Sequence, residues 1–312
     1  MRLHAAEKFS AVVTGLLFMI DGAIIMFGSR SVDLKSYAGM IAIGMAVVLG
    51  GQIYRRLRPN ERIASALTAT GLFVLFTLSA SLFNYLLLPV GDRRIDTFFI
   101  EVDALVGYRW DEFVAFVAQF PVFSSLLRAI YLSSLPQIVM VIVFLGFSRR
   151  FADLHLFLLT GILAALATIF IWYVLPSSGP SAYQVIAGDV AARARLVVDS
   201  NYGAELNRLM IEGPAFISPR DTLGLIAFPS FHMVMACLSV WFMAGFRRLF
   251  PLVLAVNVLM LPAILLHGGH HLVDVAGGLA VFALALWGAK AMLGASRFAS
   301  IAKSSVVLAH TD

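Results

Sequence analysis

The chain has 312 residues, of which 60% are hydrophobic and only 13% are charged, and its formal net charge is +5 at pH 7. A soluble domain has about a quarter of its residues charged, so this composition excludes an ordinary soluble globular protein. A cationic surplus on so apolar a chain is typical of membrane topology, and we expect no nucleic-acid partner. The single cysteine, Cys237, excludes a disulfide within the chain and a zinc site built on cysteines.

Long apolar stretches alternate with short charged ones, and about 20 apolar residues suffice to cross a bilayer. The pattern predicts an all-α, polytopic membrane protein of about eight transmembrane helices, near residues 10–28, 36–54, 64–90, 129–148, 154–175, 230–248, 250–267 and 271–289. Basic residues are concentrated before the first helix and in every second connection, which predicts cytoplasmic N- and C-termini. The short loops favour a multi-pass protein of the bacterial inner membrane.

Two connections are too long to be simple turns. In residues 92–120, apolar side chains recur at helical spacing with acidic residues behind them, which predicts an interfacial helix that lies on the lipid surface or packs over the bundle. Residues 176–229 contain scattered glycine, proline, arginine and aspartate and lead directly into the most polar part of the chain. Because loops of this length are usually functional, we expect an active-site loop here.

Four of the seven histidines fall at the same end of the last three predicted spans, namely His232, His267, His270 and His271. Ionisable groups at membrane depth are costly, so the grouping calls for a function. Pro229 and Ser230 mark a helix N-terminus, whose free N–H groups attract an anion such as phosphate. His270 and Asp274 are four residues apart and share a helix face, so the carboxylate can accept one imidazole N–H and leave the other nitrogen as a nucleophile.

The run from Phe228 to His232, together with the later run from Gly268 to Asp274, resembles the second and third signature motifs of the type 2 phosphatidic acid phosphatase superfamily. The branch it resembles most contains the inositol phosphorylceramide synthases, and residues 103–110, 131–137 and 176–180 are also similar to that branch. The resemblance implies a catalytic membrane domain on a core of six transmembrane helices. We place this domain at residues 63–292, after two additional helices in residues 1–62 and before a cytoplasmic tail of residues 293–312.

The resemblance also implies roles for individual residues. His270 would be the nucleophile that forms a phosphohistidine, Asp274 its orienting partner, and His232 the acid that protonates the leaving group. Ser230 would be a phosphate ligand. His267 and His271 match no motif position, and the angle of about 100° between successive helical residues turns His271 away from His270.

The sequence departs from the superfamily pattern in two places. Ala263 and Ile264 stand where the third motif usually opens with Ser-Arg, and the first motif, a lysine followed by Arg-Pro, is absent. Other residues must therefore neutralise the charge of the phosphate. We expect Arg220 to do so, supported by the backbone N–H groups near Ser178 and Gly179.

The function predicted from these observations is an integral membrane enzyme that acts on a lipid phosphate ester, by head-group transfer of the inositol phosphorylceramide synthase type. A simple phosphatidate or polyprenyl-diphosphate phosphatase is the alternative within the family. Two alternatives lie outside the family. One is a non-enzymatic haem-binding or lipid-transport protein, and the other is a metal hydrolase with His232, His270 and Asp274 as ligands. The predicted mechanism needs no cofactor and no metal, and the expected partner is a membrane lipid.

Overall fold

The computed structural model describes residues 3–308, with side chains to residue 294; residues 309–312 of the predicted cytoplasmic tail lie outside the described residues. The chain folds into helices α1 (Ala5–Phe27), α2 (Leu34–Arg56), α3 (Glu61–Leu86), α4 (Asp96–Leu105), α5 (Trp110–Val117), α6 (Pro121–Leu132), α7 (Ser134–Phe147), α8 (Phe151–Val174), α9 (Gly188–Ala194), α10 (Ser200–Glu212), α11 (Phe231–Met243), α12 (Phe250–His267) and α13 (Leu272–Leu308). Two short strands, β1 (Ser31–Val32) and β2 (Phe216–Ile217), pair in parallel. The predicted all-α fold is confirmed.

Among the described helices, six are long and apolar enough to cross a membrane: α1, α2, α3, α8, α12 and the Leu272–Gly294 part of α13. Two further predicted spans correspond to the shorter apolar helices α7 and α11. Helices α5 and α6 reach the length and composition of a span only together, and they meet at an angle of 117°. The chain is thus a multi-pass membrane protein.

The predicted single helix over residues 92–120 is instead divided into α4 and α5. Gly107 lies between them with a φ of 79°, a left-handed conformation that ends α4. The apolar residues of α4 are divided between two environments, since Phe98 and Leu105 are 62% and 87% exposed whereas Phe99 is buried. Of its acidic residues, Asp96 and Asp103 are buried and Glu101 is exposed.

Helices α2 and α3 pack closely because small residues face each other along their contact. A Cβ atom on Gly71 of α3 would lie 2.9 Å from the carbonyl oxygen of Gly44, and one on Gly51 of α2 would lie 2.4 Å from the hydroxyl of Thr68. Small residues at such contacts are typical of membrane helix packing. The remaining long helices pack around a core that includes Phe157, Val234 and Leu238.

An ion cluster joins the first three helices at the end of the bundle away from the cluster of His232, His267, His270 and His271. The guanidinium of Arg55 lies 2.8 Å from the Glu7 carboxylate and 2.9 Å from that of Glu61. At the histidine end, which we call the site end, Arg30 donates hydrogen bonds of 2.9 Å to the carbonyl oxygens of Leu88 and Pro214. With the β1–β2 pair, Arg30 attaches the N-terminal helices to the loop of residues 176–229.

Candidate active site

His270 and Asp274 form a buried pair where α13 begins. The His270 Nδ1 atom lies 3.0 Å from the Asp274 Oδ2 atom, and their side chains are 4% and 0% exposed. The same Oδ2 atom accepts a hydrogen bond of 2.8 Å from the backbone N–H of His271. Since α13 starts only at Leu272, Asp274 reaches back from the first turn and holds the residues that precede the helix. With Nδ1 donating to the carboxylate, Nε2 is the nitrogen of His270 with a free lone pair.

Ser230 lies against that free nitrogen. Its hydroxyl is 3.4 Å from the His270 Nε2 atom, and its backbone N–H donates to the Asp274 carbonyl oxygen at 2.9 Å. Ser230 is the N-cap residue of α11, but its side chain makes no capping hydrogen bond. The first backbone N–H groups of a helix have no partner within it, so the positive end of α11 begins beside the His270 ring.

His232 and Tyr131 form the other wall of the site. The ring centroids of His232 and His270 are 6.5 Å apart, and the Tyr131 ring of α6 stacks on His232 at 4.2 Å with an interplanar angle of 21°. Stacking against one face fixes the plane of the imidazole. The sequence assigned no role to Tyr131, although the run of residues 131–137 that it opens resembles the same family branch; its contact with His232 joins two different helices and appears only in the fold.

His271 is held between two carboxylates of α4. Its Nδ1 atom lies 2.9 Å from Asp103 Oδ2, and its Nε2 atom lies 3.5 Å from Asp96 Oδ1. Burial disfavours the charged imidazole, but the Asp103 and Asp96 carboxylates outweigh this and raise the pKa of His271 from its ordinary 6.5 to about 9. His271 is therefore a cation at neutral pH, which explains why α4 buries its acidic face. This ionic contact fixes α4 against the start of α13.

Asp96 also holds the beginning of the long loop. It accepts hydrogen bonds from the Ser177 hydroxyl at 2.7 Å, from the Ser178 backbone N–H at 3.0 Å and from the Gly179 backbone N–H at 2.7 Å. These are the N–H groups that the sequence assigned to a phosphate, and in the structure a carboxylate occupies them. Gly179 nevertheless adjoins the site, because a Cβ atom on it would lie 2.2 Å from the Gly269 carbonyl oxygen.

Arg220 lies apart from the catalytic cluster. Its side chain is exposed, and its backbone N–H donates to the Ser218 hydroxyl at 3.4 Å. Hydrogen bonds from Ser36 and Ser218, followed by the charge of Arg220, lower the pKa of Asp33. Within the described part of the chain, Arg220 makes no hydrogen bond or ion pair with His232, His270 or Asp274.

The fourth histidine of the cluster has a packing role. His267 is fully buried, and its Nε2 atom lies 3.0 Å from the Ser124 carbonyl oxygen of α6. Nearby, the Trp110 indole donates to the Leu265 carbonyl oxygen at 2.9 Å. These contacts attach α5 and α6 to the end of α12. Among the described residues, no group of three or more His, Cys, Asp or Glu side chains is arranged to hold a metal ion.

One comparison with known proteins gave a match. A family model described as the PAP2 superfamily matches residues 97–288, which is more than half of the chain and includes Ser230, His232, His270 and Asp274. Comparison with curated proteins and with solved structures gave no match.

Proposed function

The chain belongs to the PAP2 superfamily of phosphatases and phosphotransferases, and on this premise we propose that it cleaves a lipid phosphate ester through a phosphohistidine on His270. Family membership supports a lipid-phosphate enzyme in a bilayer. The observation that carries the residue assignment is the buried His270–Asp274 pair, which leaves Nε2 facing Ser230 at the positive end of α11.

In the first half-reaction, the His270 Nε2 atom attacks phosphorus while the bond from phosphorus to the leaving oxygen breaks. The Asp274 carboxylate accepts the Nδ1 hydrogen and stabilises the positive charge that develops on the ring. His232 donates a proton to the departing alkoxide. A phosphoryl group with reacting atoms at about 3–3.5 Å fits between two rings whose centroids are 6.5 Å apart.

The phosphoryl oxygens bind the Ser230 hydroxyl and the free N–H groups of the first turn of α11, where the helix dipole favours negative charge. Gly179 shapes the site by its close approach to Gly269. We also propose Arg220 as a phosphate ligand, a role that requires the segment of residues 218–226 to move toward His270, since in the structure the charge of Arg220 acts on Asp33.

In the second half-reaction, His232 takes a proton from the acceptor, whose oxygen attacks the phosphohistidine and releases His270. We propose head-group transfer of the inositol phosphorylceramide synthase type, with a hydroxyl as acceptor. A cavity of about 230 Å³ lined by Asp103, Tyr108, Arg109, Gln184 and His271 supports a polyol near the site. The Tyr108 hydroxyl in its wall lies 3.4 Å from the His270 carbonyl oxygen.

The distribution of basic residues supports cytoplasmic termini, because Arg55 in the last turn of α2 and Arg149 and Arg247 in connections all lie at the end of the bundle away from the site. The site would then face the outside of a bacterial inner membrane. This orientation makes head groups of the outer leaflet the accessible substrates.

The test uses purified protein with lipid phosphates and lipids with inositol phosphate head groups, with and without a lipid hydroxyl acceptor. We expect His270→Ala to lower turnover about 10³-fold or more. Acceptor-dependent product without free phosphate supports transfer, whereas free phosphate alone supports a simple phosphatase. His155→Ala is the matched control, since this half-buried histidine lies in the first turns of α8, at the end of the bundle away from the site, and its ring packs against that of His4. Equal turnover by wild type and His270→Ala contradicts the proposal.

A further inference from the structure

A cleft of about 230 Å³ runs from His232 between α3 and α8. Its deep part is lined by apolar side chains, among them Phe73, Phe76 and Ala80. These residues share one face of α3 with Asn84, which lines the cleft nearer the site. The cleft therefore has an apolar floor and a polar mouth that contains a proposed catalytic residue.

The length of the cleft matches one membrane leaflet. From Phe73 to Asn84, α3 rises by about 16 Å at 1.5 Å per residue. A leaflet of the hydrocarbon core is about 15 Å deep, half of about 30 Å. A lipid chain that lies along this face of α3 therefore extends over the depth of a leaflet while its head group is at His232.

Two buried polar atoms in the cleft lack a partner. The side chains of Asn84 and Thr168 belong to residues that are 8% and 1% exposed, and within the described residues the Asn84 Oδ1 and Thr168 Oγ1 atoms have no hydrogen-bond partner. Thr160, two turns earlier on α8, donates to the Leu156 carbonyl oxygen at 2.7 Å instead. An unpaired polar group in the membrane interior is costly, so both atoms call for a ligand.

We propose that Asn84 and Thr168 form a subsite that binds the backbone of the lipid substrate through a hydrogen-bond donor on that lipid. The Asn84 Oδ1 atom accepts hydrogen bonds, so its ligand must offer an N–H or an O–H group. An amide N–H and a free hydroxyl both satisfy this requirement, whereas a lipid backbone with two esters offers only acceptors. The subsite selects lipids by their backbone, and it rests on the proposed function for the phosphate at His270.

Binding is measured in His270→Ala protein, so that no turnover interferes. A phosphatidate with a photoreactive acyl chain is crosslinked to the protein and displaced by three phosphate monoesters of equal chain length. These are N-acylethanolamine phosphate with an amide N–H, monoacylglycerol phosphate with a hydroxyl, and diacylglycerol phosphate with neither. We expect crosslinks between Phe73 and Ala80, and about tenfold tighter binding of a donor-bearing lipid, since one buried hydrogen bond has this effect.

Asn84→Leu should remove most of this preference while the affinity for diacylglycerol phosphate stays the same. Thr168→Val should weaken the binding of all three lipids, because the threonine hydroxyl both accepts and donates hydrogen bonds. Thr160→Val is the matched control for Thr168→Val and should leave all three affinities unchanged. The donor-bearing lipid that loses affinity in Asn84→Leu identifies the donor as amide or hydroxyl. Equal binding of all three lipids, or a preference that survives in Asn84→Leu, overturns the subsite.

Turnover by the protein with an intact His270 separates this proposal from the proposed function. A backbone preference without any turnover of phosphate esters leaves the subsite in place and contradicts the function. His270-dependent turnover with equal binding of the three lipids supports the proposed function and overturns the subsite. Thermal unfolding of each variant shows that it is folded, and Asn84→Ala decides the outcome if Asn84→Leu is unstable.

Discussion

At the scale of single residues, Asp274 combines two accepted hydrogen bonds with a negative charge that an amide does not carry. Its Oδ2 atom accepts from the His270 ring at 3.0 Å and from the His271 backbone N–H at 2.8 Å. An asparagine side chain fills the same space but loses the negative charge that favours the imidazolium. The carboxylate therefore affects both the orientation and the charge of the proposed nucleophile.

We expect Asp274→Asn to lower kcat by about 10³- to 10⁴-fold with little change in KM, because it alters the nucleophile more than lipid binding. Steady-state phosphate release or transfer measures this. Asp153→Asn, at the other end of the bundle where Asp153 pairs with Arg150, is the control. A proportional rise in KM with unchanged kcat would assign Asp274 to substrate binding.

The charge on His271 makes stability depend on pH. Its folded pKa of about 9 lies above the ordinary 6.5, so the stabilisation is complete below about pH 6.5 and is lost as the pH rises through about 9. We expect the free energy of unfolding of the wild type to fall over this window, by about 3 kcal/mol at most. Thermal unfolding at a series of pH values measures it.

His271→Gln should flatten this part of the pH profile, and Asp103→Asn should shift it to lower pH because the first partner of the imidazolium loses its charge. The exposed pair of Arg208 and Glu205 supplies a control in Glu205→Gln, which should leave the profile unchanged. The same steep fall in His271→Gln would assign the pH dependence to another group.

The difference between Asp274 and His271 shows what the sequence reveals at this scale. His270 and Asp274 lie four residues apart, so their contact follows from helical periodicity. The partners of His271 are Asp96 and Asp103, far away in the chain. Acidic residues beside an apolar stripe normally mark a solvated face, and only the folded chain shows a buried cation opposite them.

At the scale of elements, the site depends on how closely the loop after α8 approaches the connection between α12 and α13. Gly179 has a φ of 79°, and a Cβ atom there would lie 2.2 Å from the Gly269 carbonyl oxygen. A side chain at this position meets both a disfavoured backbone conformation and a backbone clash. The two segments must separate to accommodate it, and the separation displaces the residues just before His270.

We expect Gly179→Ala to lower the free energy of unfolding by about 1–3 kcal/mol and to lower turnover strongly. Thermal unfolding and phosphate release or transfer are measured on the same preparation. Gly188→Ala is the matched control, because a Cβ atom on Gly188, at the start of α9, has nothing within 4 Å. Full activity in Gly179→Ala would show that the close approach is not needed for the chemistry.

The helices could be predicted from the sequence where apolar length and helical periodicity alone determine them. The long apolar helices lie close to the predicted spans, whereas residues 92–120 form two helices and not one. The break at Gly107 and the inward acidic face of α4 both depend on what α4 contacts. The apolar stripe of an amphipathic helix is normally its buried side. In α4 the acidic residues Asp96 and Asp103 are buried as well, because His271 is their ionic partner.

At the scale of the whole molecule, the first two helices are joined to the bundle at both ends. Arg55 lies between Glu7 and Glu61 with its side chain 7% exposed, and that of Glu7 is 1% exposed. Removing the cation leaves buried negative charge without compensation, which is more costly than the pair itself is stabilising. The cluster is far from the site, so its role is structural.

We expect Arg55→Met to lower the free energy of unfolding by about 3–5 kcal/mol while the folded fraction keeps its turnover per molecule. Thermal unfolding in detergent and activity corrected for folded protein test this. Arg208→Met removes an exposed ion pair and should change stability by less than about 1 kcal/mol. Equal effects of the two substitutions would show that the Arg55 cluster is not a buried network.

The β1–β2 pair also constrains the order in which the protein is made. Ser31 pairs with Phe216, so the connection after the first helix must wait through the synthesis of most of the chain before its partner exists. Both strands must then be on the same side of the bilayer, so the connection after α1 and the loop of residues 176–229 have to reach the same face before the pair can form. Ser230, His232, His270 and Asp274 all follow residue 217, so the ribosome adds the proposed catalytic groups only after the segment that pairs with β1.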